Sequence, residues 1–223
     1  MILIGMFDSP FVRRVAVSMK LLGMEFEHRD WSVGRDFERI RQYNPLGRVP
    51  TLVQPGGEAL IESSAILDFL DERAGPERAL LPQSGKARRD ALRIMAVATG
   101  AAEKGVTQLY ETVFRPAEKR YPPWTERCAT QMHAALVELD RLALGRSALD
   151  RTAKGGDGGW LFGDRLSQAD ITATCVYTFL ADALAINRGG VLYPALAAIA
   201  ARCEALPEFQ AVKAEFFPPG EGG

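Results

Sequence analysis

The chain has 223 residues, 47% of them apolar and 25% charged, and its 27 basic and 28 acidic side chains leave a formal charge of −1. This composition excludes a disordered chain, and the near-neutral balance gives no global field to draw nucleic acid or an anionic membrane surface. Three cysteines set far apart (Cys128, Cys175, Cys203) exclude a disulfide framework or a CxxC redox pair, and two histidines without an HExxH pattern exclude a dedicated zinc site, so no metal is expected.

The chain opens on an apolar segment, Ile2 to Phe7, whose residues are apolar on both faces; this predicts a strand internal to a sheet. No basic region or cleavage-like site precedes it, so a cytoplasmic location is expected. A helix follows over Pro10 to Leu22, with Val12, Val15, Ala16, Met19 and Leu22 at helical spacing and Gly23 as its stop. Ser9 stands at the N-cap with proline at the first helical position. A hydroxyl there lies beside unpaired backbone N–H groups and the positive end of the helix dipole, a place that stabilises an anion.

Further on, the pattern predicts a strand near Glu25 to Asp30, a short exposed helix or turn over Arg35 to Tyr43, a turn at Asn44-Pro45-Leu46-Gly47, and a hairpin of Thr51 to Gln54 with Ala59 to Ile61 around Pro55-Gly56-Gly57. Ser63 to Arg73 closes this unit as a helix. The order is β-α-β-α-β-β-α over residues 1–77, and the turn-rich stretch 78–85 reads as a linker.

Residues 86–217 are helical in pattern. Lys86 to Phe114 is amphipathic and stops before Pro116; Pro122-Pro123 opens the next helix, which carries Cys128, Met132, Ala135, Leu136, Leu139 and Leu142 on one face. Lys154 to Gly159 is a glycine-rich connection. Leu166-Ser167-Gln168-Ala169-Asp170-Ile171 forms a capping box with a hydrophobic staple, and starts a helix that is apolar nearly all round and therefore buried. With Asp182 and several threonines, that segment falls short of a membrane span. Trp31, Tyr110, Trp124 and Trp160 are expected in core or interface packing, Arg13 in a structural role, and the tail 218–223 is expected to be mobile.

Four segments, Ser9-Pro10-Phe11-Val12-Arg13, Asn44-Pro45-Leu46-Gly47-Arg48-Val49-Pro50, Ile61-Glu62-Ser63-Ser64-Ala65-Ile66 and Phe162-Gly163-Asp164-Arg165-Leu166-Ser167-Gln168-Ala169-Asp170, resemble in order and spacing those of the cytosolic glutathione transferases, across almost the whole chain. Ser-Pro-Phe followed by Arg most resembles the serine-type tau-like and bacterial members; a cysteine replaces that serine in relatives that exchange disulfides. The resemblance implies an α/β thioredoxin-like N-terminal domain joined to an all-α helical-bundle C-terminal domain. It also implies glutathione as co-substrate, with no metal, and a homodimer.

Carried over by position, the resemblance makes Ser9 the catalytic hydroxyl, Val49 the backbone partner of the cysteinyl unit, and Pro50 a cis proline. Glu62 would meet the γ-glutamyl ammonium, Ser63 the neighbouring carboxylate as N-cap of its helix, and Arg48 the glycyl carboxylate, with Arg35 as a second candidate. Phe11, Gln108 and Tyr110 would line the pocket of a small hydrophobic electrophile, and Glu103 would reach a partner subunit's ligand. Peroxide or disulfide reduction, isomerisation and dehalogenation remain open as the reaction, as does a non-catalytic binding module of the same fold.

Overall fold

A computed structural model describes residues 1–154, 159–162, 164–190 and 192–218, with only the backbone of 146–154. The glycine-rich stretch expected up to Gly159 and the tail expected over 218–223 fall largely outside these residues. The chain divides into two compact units: Met1–Gln83 together with the residues from Pro207 onward, and Ser84–Leu206.

In the first unit, β1 (Ile2–Ile4), β2 (Glu27–Arg29), β3 (Thr51–Val53) and β4 (Ala59–Ile61) form one sheet in the order β2-β1-β3-β4. β1 runs parallel to β2 and antiparallel to β3, and β3 is antiparallel to β4. β1 is thus internal, as its two apolar faces predict: Leu3 and Ile4 are both fully buried on opposite faces. Ile4 packs with Val53 and with Ile40 of α2 (Phe37–Arg41), with Trp31, Tyr43 and Val49 around them. The strand ends three residues earlier than the apolar run suggests. Gly5 turns the chain at a φ of 131°, a region an L side chain rarely adopts.

α1 (Pro10–Leu21) buries Val12, Val15, Ala16 and Met19 completely, and each fully buried Val or Met contributes about 1.5–3 kcal/mol relative to exposure. It packs beside α3 (Ser63–Ala74), which stops at Gly75 with a φ of 79°. Beyond that stop the Asp71 carboxylate accepts the backbone N–H groups of Leu80 and Leu81 at 2.8 and 3.0 Å.

The second unit holds α4 (Gly85–Val113), a 3₁₀ turn at Ala117–Lys119, α5 (Pro122–Lys154), α6 (Gln168–Leu184) and α7 (Pro194–Glu204). α6 is buried along most of its length and packs against α4 and α7. At Gly105 a side chain would come within 2.3 Å of Leu180 Cδ2, so glycine permits the close approach of α4 and α6. The capping box is formed: the Asp170 carboxylate accepts from the Ser167 backbone N–H (2.9 Å), the Ser167 hydroxyl (2.7 Å) and the Leu161 N–H (2.5 Å). Burial pushes this carboxyl up to about 6, against the pull of those three donors. All three cysteines are buried as small core residues, and burial raises the Cys203 thiol to about 12.

The sequence reading carries the helical domain on to residue 217, whereas by contacts the segment from Pro207 belongs with the first unit. The physical reason lies in Arg13 and in α8 (Pro207–Gln210). Arg13 donates to the carbonyls of Phe209 and Val212 at 3.3 Å each and lies over the Phe209 ring, and Phe209 and Val212 are themselves buried. The structural role expected of Arg13 is therefore to hold this returning segment on α1.

Candidate active site

Three stretches meet at one end of the four-stranded sheet. The first is the turn Gly5–Ser9 leading into α1. Ser9 caps the helix with extended dihedrals (φ −69°, ψ 123°), its carbonyl accepts from the Arg13 N–H at 2.9 Å, and Pro10 occupies the first helical position. The Ser9 hydroxyl accepts from the Val12 N–H at 3.5 Å, the outer limit of a hydrogen bond, so the half-buried oxygen is only weakly committed to its own helix.

The second stretch is the entry to β3. The Val49–Pro50 peptide is cis, as expected. The Val49 backbone N–H and C=O have no hydrogen-bond partner among the described residues, and Pro50 is buried. This stretch is brought to the first through Gly5, where an added Cβ would lie 2.5 Å from Val12 Cγ2 and 2.8 Å from Val49 Cβ. Only a glycine lets the end of β1, the first turn of α1 and Val49 come together at this distance.

The third is the β4–α3 junction. Thr51 pairs with Ile61, so the residues just before β3 and just after β4 lie at the same edge. The structure shifts the expected cap by one position: Glu62, at a φ of 69°, is the N-cap and accepts the Ser64 N–H at 3.0 Å, while Ser63 is the first helical residue and fully buried. The reason is Arg14. Its guanidinium, itself buried, donates to Ser63 Oγ at 2.6 Å and Ser64 Oγ at 3.1 Å, and the Ser63 hydroxyl donates in turn to Glu62 at 3.1 Å. That pulls Ser63 inward and leaves the cap to Glu62. Partial burial pushes the Glu62 carboxyl up, but the Ser64 and Ser63 donors and the nearby Arg14 charge outweigh it and hold the group below the usual carboxylate range. Glu62 is thus an exposed, firmly ionised carboxylate set in a strained backbone position.

Arg14 and Gly5 shape this edge, and neither stands out in the sequence. The available signal for Arg14 was a charged residue inside a run of buried helical positions, which needs a partner. For Gly5 it was a glycine between an internal strand and a helix cap. Of the two candidate arginines, Arg48 is exposed with no side-chain partner among the described residues. Arg35 is already engaged, pairing with Asp36 at 2.8 Å and donating to the Asp30 carbonyl at 2.7 Å. Asp8, next to Ser9, has its carboxyl raised by burial despite accepting the Phe217 N–H at 3.4 Å. Phe11 is half-buried in the first turn of α1.

In the second unit, Gln108 is turned onto its own helix and neighbour, donating to the Lys104 carbonyl at 3.4 Å and to Met132 Sδ at 3.7 Å. Glu103 is exposed on α4. Tyr110 is 37% exposed and Trp124 42%, so neither belongs to the buried core of this unit. Among the described residues no three His, Cys, Asp or Glu side chains gather as a metal site would require, and no helix is long and apolar enough to cross a membrane.

Comparison with known proteins bears on the same regions. Residues 3–78 match the family model of the glutathione S-transferase N-terminal domain and residues 122–207 that of the C-terminal domain. The GST-like protein YibF of Escherichia coli is 31% identical over 118 residues, 53% of this chain and 57% of that one. A maleylacetoacetate isomerase of Pseudomonas aeruginosa is 30% identical over 178 residues, 71% of each chain. A glutathione S-transferase of Methylobacterium radiotolerans, solved in complex with glutathione sulfonate, superposes with a TM-score of 0.85 at 27% identity over 97% of this chain and 95% of that one. The three stretches around Gly5 stand in the first matched region, and both regions together make the assignment: this chain belongs to the glutathione S-transferase superfamily.

Proposed function

We propose that this protein is a serine-type glutathione transferase that binds glutathione at the α1, β3 and α3 edge and presents its sulfur, as thiolate, to a small hydrophobic electrophile. The observation that carries this reading is the convergence at Gly5: a loosely held Ser9 hydroxyl at a helix N-terminus stands beside the unpartnered backbone of Val49. Val49 would pair with the cysteinyl backbone as an added strand. Glu62 would receive the γ-glutamyl ammonium, the N-terminal turn of α3 at Ser63 the adjacent carboxylate, and Arg48 the glycyl carboxylate. Arg35, already paired, would act at most at the rim. In this reading the protein works in the cytoplasm as a homodimer, with Glu103 on α4 near the partner.

The Ser9 O–H donates to the sulfur and the α1 dipole adds to it. A free thiol of pKa about 8.5 is ~3% ionised at pH 7, and lowering it by about two units makes most of it thiolate. With a Brønsted slope of ~0.4–0.5, each thiolate becomes nearly tenfold less reactive, so the net gain is only a few-fold. The larger share of the rate therefore comes from holding the electrophile in line with the sulfur.

Ser9→Ala tests the assignment by ultraviolet titration of bound glutathione. The thiol pKa rises by one unit or more and turnover at pH 6.5 falls about two- to sixfold; unchanged values for both remove Ser9 from the chemistry. The likeness to a maleylacetoacetate isomerase supports a second reading, in which the same thiolate adds to a conjugated double bond and leaves again after rotation. Glutathione stays unconsumed in that reaction and is consumed in conjugation, so following glutathione against product with a cis-configured unsaturated acid and with an aryl halide separates the two.

A further inference from the structure

The Ser9 hydroxyl is held only weakly by its own helix, at 3.5 Å from the Val12 N–H, so its place is set by the turn that leads into it. That turn runs from Gly5 through Met6, Phe7 and Asp8, and closes where the Ser9 N–H donates to the Met6 carbonyl at 3.2 Å. Whatever fixes the turn fixes the Ser9 oxygen with it.

His28, one of two histidines in the chain, reaches the turn from the edge strand β2 and holds it at two points. Its Nε2 lies 2.8 Å from the Gly5 carbonyl; a carbonyl can only accept, so Nε2 carries the hydrogen and donates. Its ring lies against that of Phe7, with centroids 3.7 Å apart and planes 5° from parallel. Gly5 is buried, and while its N–H donates to the Arg29 carbonyl at 3.0 Å, its own carbonyl has His28 as its partner among the described residues. The first hold sets the peptide that leaves Gly5, and the second sets the limb that carries Phe7 on towards Ser9.

We infer that His28 is a positioning residue: from β2 it fixes the Gly5–Ser9 turn so that the Ser9 hydroxyl stands where it can donate to the glutathione sulfur. This rests on the transferase reading, since His28 acts only through Ser9. A donor displaced by about 0.5 Å loses much of its hold on a thiolate, so support outside the site is felt at the sulfur.

The test uses the full chain and two variants that each release one hold. His28→Phe keeps a flat ring beside Phe7 and loses the donor; His28→Gln keeps an N–H donor and loses the ring. Ultraviolet titration of bound glutathione shows the thiol pKa raised by about 0.5 to 1 unit in His28→Phe and by a smaller amount in His28→Gln. In a Ser9→Ala background neither variant raises it further, because the oxygen they displace is gone. S-methylglutathione, which has no thiol to ionise, binds both variants as tightly as it binds the wild type. Either variant decides the matter if the other does not fold. An unchanged thiol pKa, the same rise with Ser9 present and absent, or a parallel loss of S-methylglutathione binding overturns the inference. The two readings fail separately: a responsive Ser9→Ala with silent His28 variants removes His28 alone, whereas a silent Ser9→Ala removes the catalytic reading and the role of His28 with it.

Discussion

The sheet edge of the first unit and the open cavity of the second, lined by Tyr110, Phe114 and Trp124 at the α4–α5 end, are built on opposite plans. At the edge, the β4–α3 junction is fixed by partners, Ser63 by Arg14 and Glu62 by Ser63 and Ser64, and the approach of Val49 to α1 by the missing side chain of Gly5, which holds the loosely bound Ser9 hydroxyl and the unpartnered Val49 backbone in place. The cavity has partly exposed rings. A rigid polar frame suits a ligand that never changes. Open aromatic surface suits one recognised by shape, and it tolerates replacement.

The comparison breaks most sharply at Gly5. Gly5→Ala puts a methyl 2.5 Å from Val12 and 2.8 Å from Val49 at a φ of 131°, and both the strain and the overpacking count against it. We expect a loss of about 3–5 kcal/mol in urea unfolding and no retention on immobilised glutathione. A stable Gly5→Ala protein that still binds would show that the edge is not tightly built.

The second unit also holds one tightly partnered polar group, the buried Ser167–Asp170 capping box, and pH tests it. With the Asp170 carboxyl at about 6 folded and about 3.9 unfolded, the folded state holds the proton more tightly. Stability is therefore highest below about pH 4 for this group and falls as the pH rises towards 6 and through it, by on the order of 3 kcal/mol. The difference between wild type and Asp170→Asn, followed by urea midpoints over that range, isolates the contribution; parallel curves would refute it.

Arg14→Met keeps the buried stem but strips the donors from Ser63 and Ser64. It should cost about 1–3 kcal/mol, raise the Glu62 carboxyl and weaken glutathione binding several-fold, measured by calorimetry. At the other extreme, Trp124→Ala should cost no more than about 1 kcal/mol, since 42% of the residue is exposed; a larger loss would mean that the cavity wall is part of the core.

The pattern along the chain was sufficient for the elements wherever periodicity is local: the apolar stripe of α1, the buried run of α6 and the Ser167–Asp170 box all stand where spacing puts them. The Ser9 cap and the cis Val49–Pro50 bond were legible too, the first from short-range backbone geometry and the second from the resemblance. Less legible were the ends of elements, such as β1 stopping at Ile4, because a single glycine dihedral overrides an apolar run.

Most of the helices and strands and the local caps thus follow from residues within one or two turns of each other, although the helices at Pro194–Glu204 and Pro207–Gln210 carry no separate signal in the pattern. Only the tertiary structure decided that Arg14 reaches across 49 positions to bury Ser63, that the segment from Pro207 returns to α1, and that Tyr110, Phe114 and Trp124 share a hollow. The first two join residues far apart in the chain, where no periodicity relates one to the other, and they form because a buried guanidinium and an apolar ring must each find a partner away from water; Tyr110 and Phe114 are instead an i, i+4 pair at the end of α4, to which the fold adds Trp124.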